Sequence, residues 1–176
     1  MSGAIDLSET MLKQAAMANS IIVGISDLRV SGAQSDVLIT YSLGSCLGVI
    51  IYDPVAQVAG LLHSMLPLSK IDPAKALSAP CMFVDTGIPL LFNQAYKLGA
   101  EKKRIIVKAV GCSSMLDEKG YFKIGERNFT VLRKLLWKNN ILIDKEDIGG
   151  FQSRTVSISV ATGKVVVKSD GRETAL

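Results

Sequence analysis

Cys46 stands between Gly44 and Gly48 in the run T-Y-S-L-G-S-C-L-G-V-I-I-Y-D-P, and seventeen positions on lies His63, the only histidine of the chain. A thiol in a glycine-framed turn can be approached closely by a substrate carbonyl, because no Cβ stands in the way. An imidazole beside it can take the thiol proton, hold the thiolate as an ion pair, protonate a leaving amine and then activate water. The oxyanion formed on the way needs donors, and the backbone N–H groups around Gly44, Ser45 and Cys46 are the local supply. Thr40, six residues before the cysteine, can accept from the other imidazole nitrogen and orient the ring, as the third member of a triad does. The residues also have a plainer reading. Cys46 can be an inert thiol in a small-residue turn, and His63, flanked by Leu61, Leu62, Met65 and Leu66, can be a satisfied core histidine.

Positioning such a pair requires two strands. Leu47 to Tyr52 reads as a buried strand, Asp53-Pro54 opens a turn, and Ala59 to His63 reads as a second strand that pairs back and returns His63 to Cys46. The G-x-nucleophile-x-G elbow of α/β-hydrolases also fits Gly44 to Gly48, but that elbow needs a helix after the nucleophile and a strand pattern follows here. Upstream, Ser8 either caps a short helix carrying Met11, Leu12, Ala15 and Ala16 or belongs to a loose tail, and Ile21–Ile25 with Leu28–Val30 forms one kinked strand. Val37–Thr40 opens the strand that leads to Cys46.

Downstream, Pro67 to Pro80 reads as a long loop that either covers the cleft or is an ordinary long connection. Asp85-Thr86 caps a helix with Pro89 in its first turn, Ile88, Leu91, Phe92 and Ala95 on one face, and Gly99 at its end. Ile105–Val110 is an apolar central strand. A second helix opens at Gly125-Glu126-Arg127-Asn128 and buries Phe129, Leu132 and Leu136, with Glu126 and Arg127 pairing within the fold. Ile141–Ile143 is a short strand, and Val156–Val160 and Val165–Val167 form a hairpin around Ala161-Thr162-Gly163-Lys164. Gly149-Gly150 permits a close backbone approach near Cys46, and Lys168–Leu176 is a polar tail.

A chain of 176 residues with 48% hydrophobic and 20% charged side chains is a single globular domain that buries about 70% of its unfolded surface. The three cysteines are widely spaced and suggest neither a disulfide framework nor a metal site. With no secretory leader and no apolar run approaching the ~18–20 residues of a membrane span, the expected compartment is the cytoplasm. Charge is uneven: residues 1–88 hold four Lys/Arg against seven Asp/Glu, and 89–176 hold sixteen against nine. The basic residues Lys102, Lys103, Arg104, Lys108, Arg133, Lys134 and Lys138 lack interleaved aromatics and read first as solvated faces; if they serve binding, an acidic protein surface is a better partner than nucleic acid.

The segments S-L-G-S-C-L-G-V-I-I-Y-D-P, G-L-L-H-S-M-L-P, F-V-D-T-G-I-P-L-L, I-G-E-R-N and E-D-I-G-G-F-Q-S-R-T-V, in this order, resemble the chemoreceptor glutamine deamidases of the CheD family across Ile21 to Lys168. The resemblance implies a single-domain α+β fold, an αβ sandwich with mixed β-sheets and two main helices packed outside. Residues 1–20 then form an N-terminal extension, 21–168 the deamidase domain and 169–176 a C-terminal tail. It also implies a nucleophile, a histidine and a threonine at Cys46, His63 and Thr40, with Gly44 and Ser45 lining the oxyanion position and neither metal nor nucleotide required. The implied substrates are glutamines in the cytoplasmic helical region of methyl-accepting chemotaxis receptors, with a CheC-type phosphatase as a further partner and no membrane insertion. Two readings compete with the deamidase: a non-catalytic docking module for receptors or such a phosphatase, and a cysteine amidase or esterase for small molecules. Two segments depart from the family's commonest pattern: Gly111-Cys112-Ser113, where a second glycine and an alanine are usual, and Phe151-Gln152-Ser153, where Asn and Gly are usual.

Overall fold

The computed structural model describes residues 19–114 and 122–176. Over these the chain runs β1 (Asn19–Ile22), β2 (Asp27–Ser31), β3 (Asp36–Leu43), β4 (Leu47–Asp53), β5 (Val58–Ser64), α1 (Pro73–Ser78) and α2 (Val84–Lys97). It continues through β6 (Ile106–Gly111), α3 (Ile124–Lys138), β7 (Lys145–Ile148), β8 (Arg154–Ser159), β9 (Val165–Ser169) and β10 (Arg172–Ala175). The helix expected after Ser8 lies outside the described residues.

The strands form two five-stranded sheets, ordered β1-β3-β8-β9-β10 and β2-β5-β4-β6-β7. Both are mixed, with β1 parallel to β3 and β6 parallel to β7. Every residue of β4 and of β5 is buried, as befits central strands covered on both faces. Alternation sends Ile50, Ala59, Leu61 and Val110 toward Leu38, Val156 and Ile158 of the other sheet. It sends Val49, Ile51, Leu62 and Ala109 toward Ile88, Leu91, Leu132 and Leu136 of the two long helices. The architecture is therefore sheet on sheet on helices, an α+β sandwich with two main helices outside one sheet. Each fully buried Leu or Ile in these two layers contributes about 1.5–3 kcal/mol, so the sheet that carries β4 and β5 is held from both sides.

Several local expectations are corrected. Ile21 to Val30 is not one kinked strand: β1 joins the first sheet beside β3, and β2 joins the second beside β5, with Ser26 at φ +60 between them. Pro67 to Pro80 is not a plain loop. It holds α1, whose first residue is Pro73 and whose Asp72 cap accepts from the Lys75 N–H, as proline at the first helical position and aspartate before it favour.

The first long helix begins at Val84, so Pro89 lies beyond its first turn and removes one i→i−4 bond. Asp85 does not cap it. Its carboxylate instead accepts from the Ser69 N–H and Ser69 Oγ, both at 2.8 Å, and Thr86 Oγ1 donates to Pro80 O at 2.6 Å. The helix does end at Gly99 (φ +94), where Gly99 N–H and Ala100 N–H reach back to Tyr96 O and Ala95 O in a Schellman closure. Ile141–Ile143 is irregular chain and the strand follows it at β7. The polar tail also holds a strand, β10, antiparallel to β9. Glu126 does pair within the fold, with Lys123 at 3.5 Å.

Candidate active site

The site is built where the two sheets meet at one end. Strand β3 carries Thr40, then loses register between Thr40 and Leu43 with Ser42 at φ +56. Such a bulge re-aims a strand, and here it turns the chain into the Gly44-Ser45-Cys46 segment before β4 begins. The β4–β5 hairpin pairs Leu47 with Ser64 and Gly48 with His63. Cys46 is therefore one step beyond the last ladder pair, on the same face as His63 and diagonal to it, a separation that side chains span. That face is the inter-sheet one: Cys46 packs against the cluster of Leu43, Leu61 and Val110.

His63 is 0% exposed. Thr40 Oγ1 lies 2.8 Å from His63 Nδ1 and donates to Val23 O at 2.7 Å. A hydroxyl has one proton, and Val23 O can only accept it. Thr40 Oγ1 therefore receives from Nδ1–H, which leaves the lone pair on Nε2. That nitrogen is buried and has no hydrogen-bond partner among the described residues. Burial pulls the His63 pKa down from its usual 6.5 to about 4 and pushes the Cys46 thiol up, the Cys46 N–H opposing this in part. Burial thus opposes the thiolate–imidazolium pair expected from the sequence and favours a thiol and a neutral imidazole, an arrangement suited to proton transfer during attack.

The loop that bears Cys46 is fixed by its carbonyls. Gly44 O accepts from Ser113 N–H and Cys46 O from Cys112 N–H, each at 2.8 Å, and Ser45 O accepts from Asn128 Nδ2 at 3.2 Å. Among the described residues neither the Ser45 nor the Cys46 N–H bonds to a backbone carbonyl. The space left by Gly48 serves packing rather than substrate, since a Cβ there would lie 2.8 Å from Leu43 Cδ1.

Gly111 has the stricter requirement: at φ +104, a Cβ would stand 2.4 Å from Cys46 O. Cys112 follows at φ +55, a left-handed conformation in which glycine is at ease. Gly149 N–H donates to Gly111 O and Ser114 N–H donates to Gly150 O, so they brace the segment behind the loop. Arg154, 2% exposed, secures them through Gly149 O at 2.9 Å and Asp147 Oδ1 at 2.7 Å.

Asn128 was legible only as one letter of I-G-E-R-N. The structure shows it wholly buried, its Nδ2 joining Ser45 O to Met65 O. The signal was present in the spacing, since Gly125, Asn128, Leu132 and Leu136 form the buried stripe of α3 and a lone amide in such a stripe needs a partner. Cys81 and Cys112 adjoin the site through their backbones. Ser64 Oγ bonds Cys81 O at 2.8 Å, and burial raises the Cys112 thiol to about 12. Among the described residues no cluster of His, Cys, Asp or Glu could hold a metal.

Comparison with known proteins bears on the family of the chain. The sequence profile described as CheD chemotactic sensory transduction matches residues 65–169. The chain is 55% identical over 151 residues, 86% of this chain and 94% of the other, to the probable chemoreceptor glutamine deamidase CheD 1 of Syntrophus aciditrophicus (strain SB). It is 48% identical to the probable chemoreceptor glutamine deamidase CheD of Solibacter usitatus (strain Ellin6076), over 89% of this chain and 92% of that one. Among solved structures, a Neisseria meningitidis protein overlays with TM-score 0.45 at 10% identity, covering 85% of this chain and 70% of that one, too loosely to carry an argument. Identity at this level along nearly the full length of both relatives leaves one conclusion: the chain belongs to the CheD family.

Proposed function

We propose that this protein is a chemoreceptor glutamine deamidase that works through Cys46, His63 and Thr40. The observation that carries the mechanism is the tautomer of His63: Thr40 takes the Nδ1 proton, so the unpartnered Nε2 is a base on the Cys46 face. When a glutamine carboxamide enters, Cys46 Sγ attacks its carbon as Nε2 takes the thiol proton, and the carbonyl oxygen turns toward the Ser45 and Cys46 N–H groups. The imidazolium then protonates the amide nitrogen and ammonia leaves, which forms a thioester on Cys46. A water deprotonated by Nε2 opens the thioester to glutamate and free thiol. A neutral resting pair suits this cycle, since the proton moves only as charge develops.

The substrates proposed are glutamines on the cytoplasmic helical bundle of chemotaxis receptors, which places the protein in the cytoplasm. Supporting this, no helix among the described residues is long and apolar enough to cross a membrane, and all three cysteines are free thiols. A CheC-type phosphatase is proposed as a second partner on the family resemblance alone. The test is incubation with a receptor cytoplasmic fragment, followed by mass measurement of its peptides. The amide-to-acid mass change is expected at discrete glutamines, and a fragment that is bound but never changed in mass would turn the assignment to a docking module.

A further inference from the structure

The buried stripe of α3 reads Gly125, Asn128, Leu132, Leu136. Asn128 is 0% exposed, its Nδ2 donates to Ser45 O at 3.2 Å and Met65 O at 3.0 Å, and its Oδ1 is buried with no partner among the described residues. The unmet Oδ1 makes the amide costly for packing alone. What it accomplishes lies in the two carbonyls it joins. One belongs to the residue before Cys46 and the other to the second residue after His63. The β4–β5 ladder ends at Leu47–Ser64, and Asn128 ties the two chains one step further, where the ladder no longer does.

The tie also sets a direction. In a trans peptide the C=O and N–H point to opposite sides, so holding Ser45 O against α3 aims the Cys46 N–H away from the helix, toward the thiol side of the loop. The lowering of the Cys46 pKa by its own N–H agrees with that orientation. We infer that Asn128 is a positioning residue for the deamidation: it fixes the Cys46 N–H as oxyanion donor and holds the Cys46 loop in register with His63. This deepens the deamidase reading and rests on it.

The experiment compares full-length wild type, Asn128→Leu and a packing control, Leu132→Ala, in three measurements: thermal melting, kcat and KM on a receptor cytoplasmic fragment, and the pH midpoint of Cys46 alkylation by iodoacetamide. Asn128→Leu should melt somewhat below wild type, because Ser45 O and Met65 O lose their donor, keep KM within about twofold and lose kcat by about tenfold to a hundredfold, since small misplacements of reacting groups cost that much. Its alkylation midpoint should move, because Cys46 and His63 are no longer held in register. Leu132→Ala should melt lower yet keep kcat and the midpoint. Wild-type kcat in Asn128→Leu, or a loss that Leu132→Ala reproduces, would overturn the inference. If wild type leaves the fragment unchanged in mass, the deamidase reading falls separately, and an unmoved alkylation midpoint in Asn128→Leu then overturns the positioning role on its own.

Discussion

His63 binds no proton in the folded protein until the pH nears 4, whereas in the unfolded chain it does so near 6.5. The unfolded state therefore holds more protons across that window, and stability rises with pH from about 4 to 6.5 and is lost as pH falls through it. The size is on the order of 3 kcal/mol, from 1.36 kcal/mol per unit. Urea unfolding at pH 4.5 and 7 should show this loss in wild type and not in His63→Gln. The same displacement puts the acid limb of kcat/KM near pH 4, and a limb near 6.5 would show that Nε2 is solvated in the working enzyme. Removing the base, His63→Ala, should lower turnover by about 10²–10⁴-fold. Thr40→Val should cost less, because it releases the ring without removing a reacting group, and stopped-time mass measurement of the fragment separates the two.

Cys46 and His63 could be read from the sequence because the histidine is unique and the cysteine stands in a glycine frame. The protonation state could not, since it depends on how deeply the inter-sheet layer buries both groups. Nor could Asn128, which is polar among helix residues until the stripe it lies on is seen to face the loop.

At the scale of elements, long periodic segments were legible and short ones were not. The β4–β5 hairpin and the last hairpin followed from apolar runs and turn residues, and the two long helices from their stripes. Asp85 misled because an aspartate near a helix start usually caps it, and here Ser69 holds the carboxylate instead. Arg172–Ala175 pairs with β9 although all four residues are exposed, so no hydrophobic pattern announced it.

The element most tightly bound to the site is the Gly111–Ser113 segment, which holds two of the three loop carbonyls. Gly111→Ala would force a Cβ against Cys46 O at 2.4 Å from a φ of +104, which no alanine relieves by rotation. A loss of about 1–3 kcal/mol in stability is expected from the conformation alone, together with a fall in kcat as the loop shifts. The check is the pair of denaturant midpoint and turnover. Gly149→Ala, also at positive φ (+84) but with nothing near its Cβ, should lose stability while keeping more of its activity.

The whole molecule separates holding the site from presenting it. Asp53 is buried at the far end of β4, where it accepts from Val55, Ala56 and Glu101 N–H groups and from Arg104. Burial pushes its carboxyl up, but these donors outweigh that and hold it well below the usual carboxylate range. That end keeps the sheet together, while Cys46 lies at the other end of the same strand. Cys46→Ala removes one small side chain and leaves the carbonyl ties of its loop, the β4–β5 ladder and the exposed basic residues Arg133, Lys134 and Lys138 untouched. Affinity for the receptor fragment should therefore change little while turnover vanishes. Both should be measured on the same samples, by binding of the fragment and by its mass after incubation. Wild type that changes the mass, beside an alanine variant that binds equally and changes nothing, is the expected pair. An alanine variant that keeps its fold and loses binding would place Cys46 in recognition rather than chemistry. One that still converts glutamine would transfer the nucleophile to a group other than Cys46, and Cys112, 4% exposed with its thiol raised to about 12, is poorly suited to supply it.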